Sequence, residues 1–142
     1  MSLTQEIPVV YTAQSKHNFF CRDVICEYVL LRDAVPLNPF RAFDYFLGDR
    51  VDRNYVRRAN NNCVRIADEI WVFGEISDGV FHEIQYALQL GKKVRYFTLS
   101  TKAEEISELN PHETVVAVED EVRLTVDLPE EKVRQVILSA AG

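Results

Sequence analysis

Apolar and polar positions divide this chain into short runs with two different periods, and the division is sharpest over residues 67–99. Ile70, Trp71, Val72 and Phe73 form a nearly unbroken apolar run, the pattern of a strand covered on both faces. Gly74 ends that run, and residues 75–79 (EISDG) predict a turn. Val80, Ile84, Ala87, Leu88 and Gly91 then recur at helical spacing. Gly91 followed by Lys92 and Lys93 predicts a helix closed by a Gly stop with basic residues in its last turn. Val94, Tyr96, Phe97 and Leu99 read as the next strand. A strand, loop, helix and strand in this order is the unit from which parallel sheets are built.

The flanking segments continue the alternation. Residues 7–13 (IPVVYTA) are β-branched and apolar between polar neighbours, which predicts a first strand. Residues 18–33 offer a broad apolar helix surface from Phe19, Val24, Ile25, Tyr28, Val29 and Leu31. Residues 34–37 predict a brief second strand, closed by the turn opener Asn38-Pro39. A short helix is expected over 41–47, before Gly48. A polar helix is expected over 49–66, with Val51, Tyr55, Ala59, Asn62 and Ile66 along one side. After Leu99 a capped short helix starts at Ser100, and Asn110-Pro111 breaks it. Residues 114–118 (TVVAV) predict a last parallel strand, 121–127 suit strand or helix equally, and Pro129 opens a final helix reaching 140. The expected architecture is a single α/β domain over residues 1–142: a doubly wound sandwich of about five parallel strands, flavodoxin-like or Rossmann-like. The runs at 7–13, 70–73 and 94–99 should lie side by side in its sheet.

In open α/β sheets, ligands bind beyond the carboxyl ends of the strands. Here that position holds Ser77, Asp78 and Gly79, ahead of a helix start whose unpaired N–H groups attract anions. Glu83 lies one turn into the helix and shares a face with Val80 and Ala87, so it leans inward. An inward carboxylate near a positive helix end is expected to stay ionised, which suits a nucleophile or a general base. The same residue type at the same place also simply complements the dipole.

The segment Ser77-x-Gly79-Val80-x-x-Glu83, after a strand that opens with Ala67-Asp68, resembles the nucleoside 2-deoxyribosyltransferase superfamily. Within it, the deoxynucleoside-monophosphate N-glycosidase branch is the most similar. The resemblance implies that Glu83 attacks the anomeric carbon of a deoxyribose. It implies that Ser77, Asp78 and Gly79 hold phosphate or sugar, with Tyr11, Ser15, Asn60 and Asp68 as further binding residues. Two departures stand out. The glycine-rich, basic phosphate loop that follows the family's first strand is replaced by Gln14, Ser15, Lys16, His17 and Asn18. Asn60 takes the place, eight residues before Asp68, where the family often has an aspartate; an amide hydrogen-bonds but is no base.

Charge and composition narrow the function classes. The net charge of −6 argues against a nucleic-acid binder, which needs a basic face. Positive charge is densest at Arg50, Arg53, Arg57, Arg58 and Arg65, which reads as a solvated face paired with Asp49 and Asp52. Lys16 and Arg22 offer charge-assisted contacts to an anion, or plain solvated charge. No secretory leader, membrane span or membrane partner is expected. The three cysteines, Cys21, Cys26 and Cys63, fit no metal or CxxC spacing and read as reduced, buried thiols of a cytoplasmic protein. The three histidines are scattered, so no metal is expected, and neither P-loop nor GxGxxG fingerprint calls for a cofactor. Phe19, Phe40, Phe43, Tyr45 and Phe46 are more aromatic surface than a chain of this size need bury alone. They predict a homodimer or a dimer of dimers. The leading function is cleavage or transfer at an N-glycosidic bond of a nucleoside or nucleotide, as hydrolase or transferase. The rival is a nucleotide-binding or sensing module of the same fold, and a structural protein is the third possibility.

Overall fold

The computed structural model describes residues 1–43, 47 and 49–142. Strands β1 (Val9–Gln14), β2 (Val35–Leu37), β3 (Glu69–Phe73), β4 (Val94–Phe97) and β5 (Glu108–Leu109) form one sheet in the order β2-β1-β3-β4-β5. The pairs β1–β2, β1–β3 and β3–β4 are parallel, with Tyr11 opposite Ile70 and Val72 opposite Tyr96. The three apolar runs therefore do lie side by side. The fifth strand corrects the expectation of an all-parallel sheet: β5 is antiparallel to β4. A parallel return needs a crossover of a dozen or more residues. Between Phe97 and Glu108 the chain has room only for a 3-10 turn at Ala103–Glu105, so it doubles back. Arg95 fastens that return with two hydrogen bonds to the Glu108 carboxylate, at 2.8 and 2.6 Å.

Alternate residues of each strand feed two cores, as a sheet covered on both faces requires. Tyr11, Ala13, Ile70, Val72, Val94 and Tyr96 pack under α3 (Arg53–Ile66), α4 (Asp78–Gln89), α5 (Asp120–Thr125) and α6 (Glu130–Ala141). Val10, Trp71, Phe73 and Phe97 pack under α1 (Arg22–Leu30) on the other side. Tyr28 of α1 meets the rings of Trp71, Phe73 and Phe97 edge-on. The first helical stretch is split: Lys16–Cys21 is a 3-10 turn, and α1 proper starts at Arg22. Residues 121–127, which suited either element, are largely the short helix α5.

Residues 114–118 do not form the expected strand. Both flanks of β3 are already taken by β1 and β4. The segment makes only one parallel bridge, Val118 to Ile76, while Val116 is buried in the core. The Gly91 stop is realised, but Lys92 and Lys93 fall beyond the helix end and no basic residue lies in its last turn. Gly91 sits at φ +70°, its N–H donates to Leu88 O, and Lys92 N–H donates to Ala87 O, the paired bonds of a Schellman end. The short helix expected over 41–47 begins earlier, as α2 (Pro39–Ala42), and residues 44–46 and 48 lie outside the described residues.

Candidate active site

The strand order places a topological switch point between β1 and β3, because the chain passes from β1 to β2 on one side and then crosses over to β3 on the other. Ligand crevices in open α/β sheets form at that point, outside the carboxyl ends of the strands. A cavity of about 420 Å³ opens there. Tyr11 and Gln14 of β1, Phe40 of α2, Arg53, Arg57 and Asn60 of α3, and Ser77 to Val80 with Glu83 around the start of α4 line it.

The floor is a tyrosine–carboxylate pair. Tyr11 alternates onto the α4 face of β1, and Glu83 lies on the face of α4 that carries Val80 and Ala87 into the core. The Tyr11 hydroxyl donates to Glu83 Oε2. Burial pushes the Glu83 carboxyl up to about 7, while the Tyr11 hydrogen bond pulls it down. This corrects the expectation of a fully ionised Glu83: the dipole favours the anion, but removal from water outweighs it. Burial, and then the Glu83 charge and the bond to it, hold the Tyr11 phenol well above its ordinary value, so it remains a donor. Burial, and then the Glu83 charge, raise the Cys63 thiol of α3 above its ordinary value.

The α4 start is already capped. Ser77 Oγ accepts the Val80 N–H at 3.2 Å, and Asp78 Oδ1 accepts the Gly79 N–H at 2.9 Å. The opposite wall is α3, where Arg53, Val56, Arg57 and Asn60 recur on one helix face. Asn60 Oδ1 is buried and has no hydrogen-bond partner among the described residues. Buried Asn38 shapes the third wall. Its amide donates to Thr12 Oγ1 at 2.9 Å and Gln14 Oε1 at 2.8 Å, and its Oδ1 caps α2 at Phe40 N and Arg41 N. That fixes Phe40 and Phe43 along the cavity.

Of the residues expected from sequence, Tyr11, Asn60, Ser77, Asp78, Gly79 and Glu83 meet in this cavity. Two do not. Ser15 is wholly buried and accepts from His17 N, ending β1 and opening the 3-10 turn. Asp68 precedes β3, at the amino end of the sheet, where its carboxylate accepts the Val9 N–H at 2.7 Å. Arg22 also leaves the site: it donates to Phe19 O and lies over the Phe19 ring. Gln14, Arg53, Arg57 and the Asn38 bracket were not expected there; the i, i+4, i+7 spacing of Arg53, Arg57 and Asn60 was their one visible signal.

The fold and the crevice define a flavodoxin-like α/β domain with a switch-point cavity. The chain belongs to the family described as a domain of unknown function (DUF7768), which matches over residues 7–97. Among solved structures it is similar to a 2-deoxyribosyltransferase from the psychrotolerant bacterium Bacillus psychrosaccharolyticus. The identity is 15%, the TM-score 0.48, and the match covers 88% of this chain and 95% of that one. No curated protein sequence matches it. No helix among the described residues is long and apolar enough to cross a membrane.

Proposed function

We propose that this chain cleaves or transfers at the N-glycosidic bond of a nucleoside or nucleotide, with Glu83 as nucleophile, after the manner of the N-glycosidase branch it resembles. The observation that carries the reading is the Tyr11–Glu83 pair on the floor of the cavity. A carboxyl poised near neutrality is basic enough to attack and, once ionised, is oriented by the phenol. In the proposed step a Glu83 oxygen bonds to the anomeric carbon. The carbon–nitrogen bond breaks, and the base leaves with the bonding pair and takes up a proton. Water or a second base then releases the sugar, which decides between hydrolase and transferase. The orphaned Asn60 Oδ1 supports a sugar in the cavity, since a hydroxyl donor would relieve it. Phe40 and Phe43 offer apolar surface to a base.

The test is release of free base from a panel of deoxynucleosides and their 5′-monophosphates, with wild type against Glu83→Gln. Turnover should fall by orders of magnitude in the variant while affinity changes far less, because the amide keeps the shape and can still hydrogen-bond. A second reading, a nucleotide-binding module without turnover, is favoured by the amide at Asn60 in place of a carboxylate. In that case wild type and variant both release no base yet bind the ligand. The proposal extends to a cytoplasmic homodimer or dimer of dimers. Exposed Phe20 beside half-buried Phe19 supports an interface, and sedimentation at micromolar concentration tests it. Tyr45 and Phe46, also expected at that interface, lie outside the described residues.

A further inference from the structure

We propose that the chain holds a divalent transition-metal ion, of the zinc class, between His17, Glu119 and Glu121. A ring nitrogen of the histidine and one carboxylate oxygen of each glutamate lie within 4.8 Å of one another. Bonds of about 2.0–2.2 Å to a shared ion would draw those atoms together by less than about 1 Å. Sequence spacing hides the group, because His17 and Glu121 stand 104 residues apart. His17 belongs to the 3-10 turn after β1, Glu119 is the residue before α5, and Glu121 lies in the first turn of α5.

Two observations besides the cluster itself point to a cation. Glu119 Oε1 is buried and has no hydrogen-bond partner among the described residues. A buried carboxylate oxygen without a partner costs free energy, and a cation relieves it. Helix capping does not account for this oxygen: Glu119 precedes α5, yet its side chain makes no capping bond. The second observation is the charge around it. His17, Glu119 and Glu121 line a hollow of about 390 Å³ together with Asn18, Glu75 and Asp120. Among the described residues, no lysine or arginine lines that hollow. Four carboxylates gathered without a basic residue repel one another, and a divalent ion turns that repulsion into attraction. The dipole of α5 explains Asp120 and Glu121 at its start. It does not explain Glu75, which follows β3, or the histidine, which follows β1.

The donor set selects the ion. An imidazole nitrogen suits zinc and its transition-metal neighbours, whereas magnesium and calcium take oxygen ligands. Two carboxylates without a thiolate turn away the softest ions. Three protein ligands leave a position for water. The water has access, since the His17 and Glu121 side chains are 55% and 48% exposed. Between themselves, His17 Nε2 and Glu121 Oε1 make one long contact of 3.4 Å, which leaves the Glu119 oxygen unserved. A shared ion would tie the turn after β1 to the start of α5. With that turn it would hold Lys16, the neighbour of His17 that lines the switch-point cavity.

The test is calorimetric titration of the untagged, chelator-stripped full chain with zinc chloride, then with magnesium and calcium chlorides. One equivalent of zinc should bind, roughly tenfold or more tightly than magnesium or calcium, and it should raise the unfolding temperature. Glu119→Gln keeps the shape and removes the charge, and His17→Ala removes the nitrogen. Each should weaken zinc by roughly tenfold or more, since even a residue that only supports a ligand is worth that much. His82→Ala, at another exposed histidine, should leave the affinity unchanged. Nitrogen-15 spectra should show the His17 ring resonance moving as zinc is added while that of His82 stays. Circular dichroism checks that the variants fold. Should Glu119→Gln fail to fold, His17→Ala, at an exposed position, decides. No zinc binding at roughly millimolar concentration overturns the proposal. So does zinc binding that a folded variant retains in full. Calcium or magnesium binding as tight as zinc, unchanged in His17→Ala, also overturns it, because acidic residues alone would then hold the ion.

Discussion

The Tyr11 hydroxyl donates to the Glu83 carboxylate across 72 residues of sequence, joining the first strand to the helix after the third. Both side chains reach the cavity from elements fixed by the core, so the pair is held by the fold and not by a loop. Its chemistry is set by two opposed effects. Burial favours the neutral acid, and the phenol favours the anion.

The first prediction removes the phenol. Wild-type base release should rise with pH through an inflection near 7, where Glu83 ionises. Tyr11→Phe keeps the ring and deletes the donor to the anion. A hydrogen bond to a charged group contributes about 1.5–3 kcal/mol, so the inflection should move up by about one to two pH units. Carbon-13 titration of the Glu83 carboxyl reads the same shift without requiring turnover. An unchanged titration would show that the Tyr11 bond does not govern Glu83.

Much of this arrangement is legible in the sequence, for local reasons. β1, β3 and β4 are apolar runs long enough to mark buried parallel strands, and Gly91 announces the end of α4. What stayed hidden depends on tertiary partners. TVVAV has the composition of a strand, yet pairing needs a free strand edge, and β3 has none. β5 is two residues, Glu108 and Leu109, too short for any period to show. Arg53 and Arg57 look the same in sequence whether they face water or a cavity. The ionisation of Glu83 turned on burial, which a dipole argument does not see. Asp68 was readable after all: it precedes its strand, so it belongs to the amino end of the sheet, away from the crevice.

Asn38→Ala should destabilise the fold by about 2–4 kcal/mol in urea unfolding, because it strands buried Thr12 and Gln14 partners and removes the α2 cap together. Asn38→Asp keeps the capping acceptor but not the donor. It should therefore recover part of the loss and no more. Full recovery would locate the whole effect in the cap.

Asp68→Ala separates position in the chain from position in the fold. The carboxylate secures the Val9 N–H at the start of β1, and its loss should cost about 1 kcal/mol. Ligand affinity and turnover should not move, since the cavity lies at the other end of the strands. A loss of affinity larger than the loss of stability would return Asp68 to the binding residues.

The last prediction concerns how stability depends on pH. The Glu83 carboxyl titrates near 7 in the folded chain against an ordinary 4.5. Between those values the folded form holds more protons than the unfolded form. Stability from this group is therefore complete below about 4.5 and is lost as pH rises toward 7, after which the loss is constant. At about 1.36 kcal/mol per pH unit the total is on the order of 3 kcal/mol. Glu108, whose carboxyl Arg95 holds below its ordinary value, acts in the opposite sense, losing stability as pH falls. Comparing wild type with Glu83→Gln cancels that contribution and every other shared one. The difference in urea-unfolding free energy should be small at pH 5 and should grow in favour of the Gln variant up to pH 8. The nucleophile would then be held at a cost in stability that its amide does not bear, which is how a functional carboxylate differs from a helix cap. A cap gives the reverse result: Glu83→Gln would lose about 0.3–1 kcal/mol at pH 8. That outcome would remove Glu83 from the chemistry.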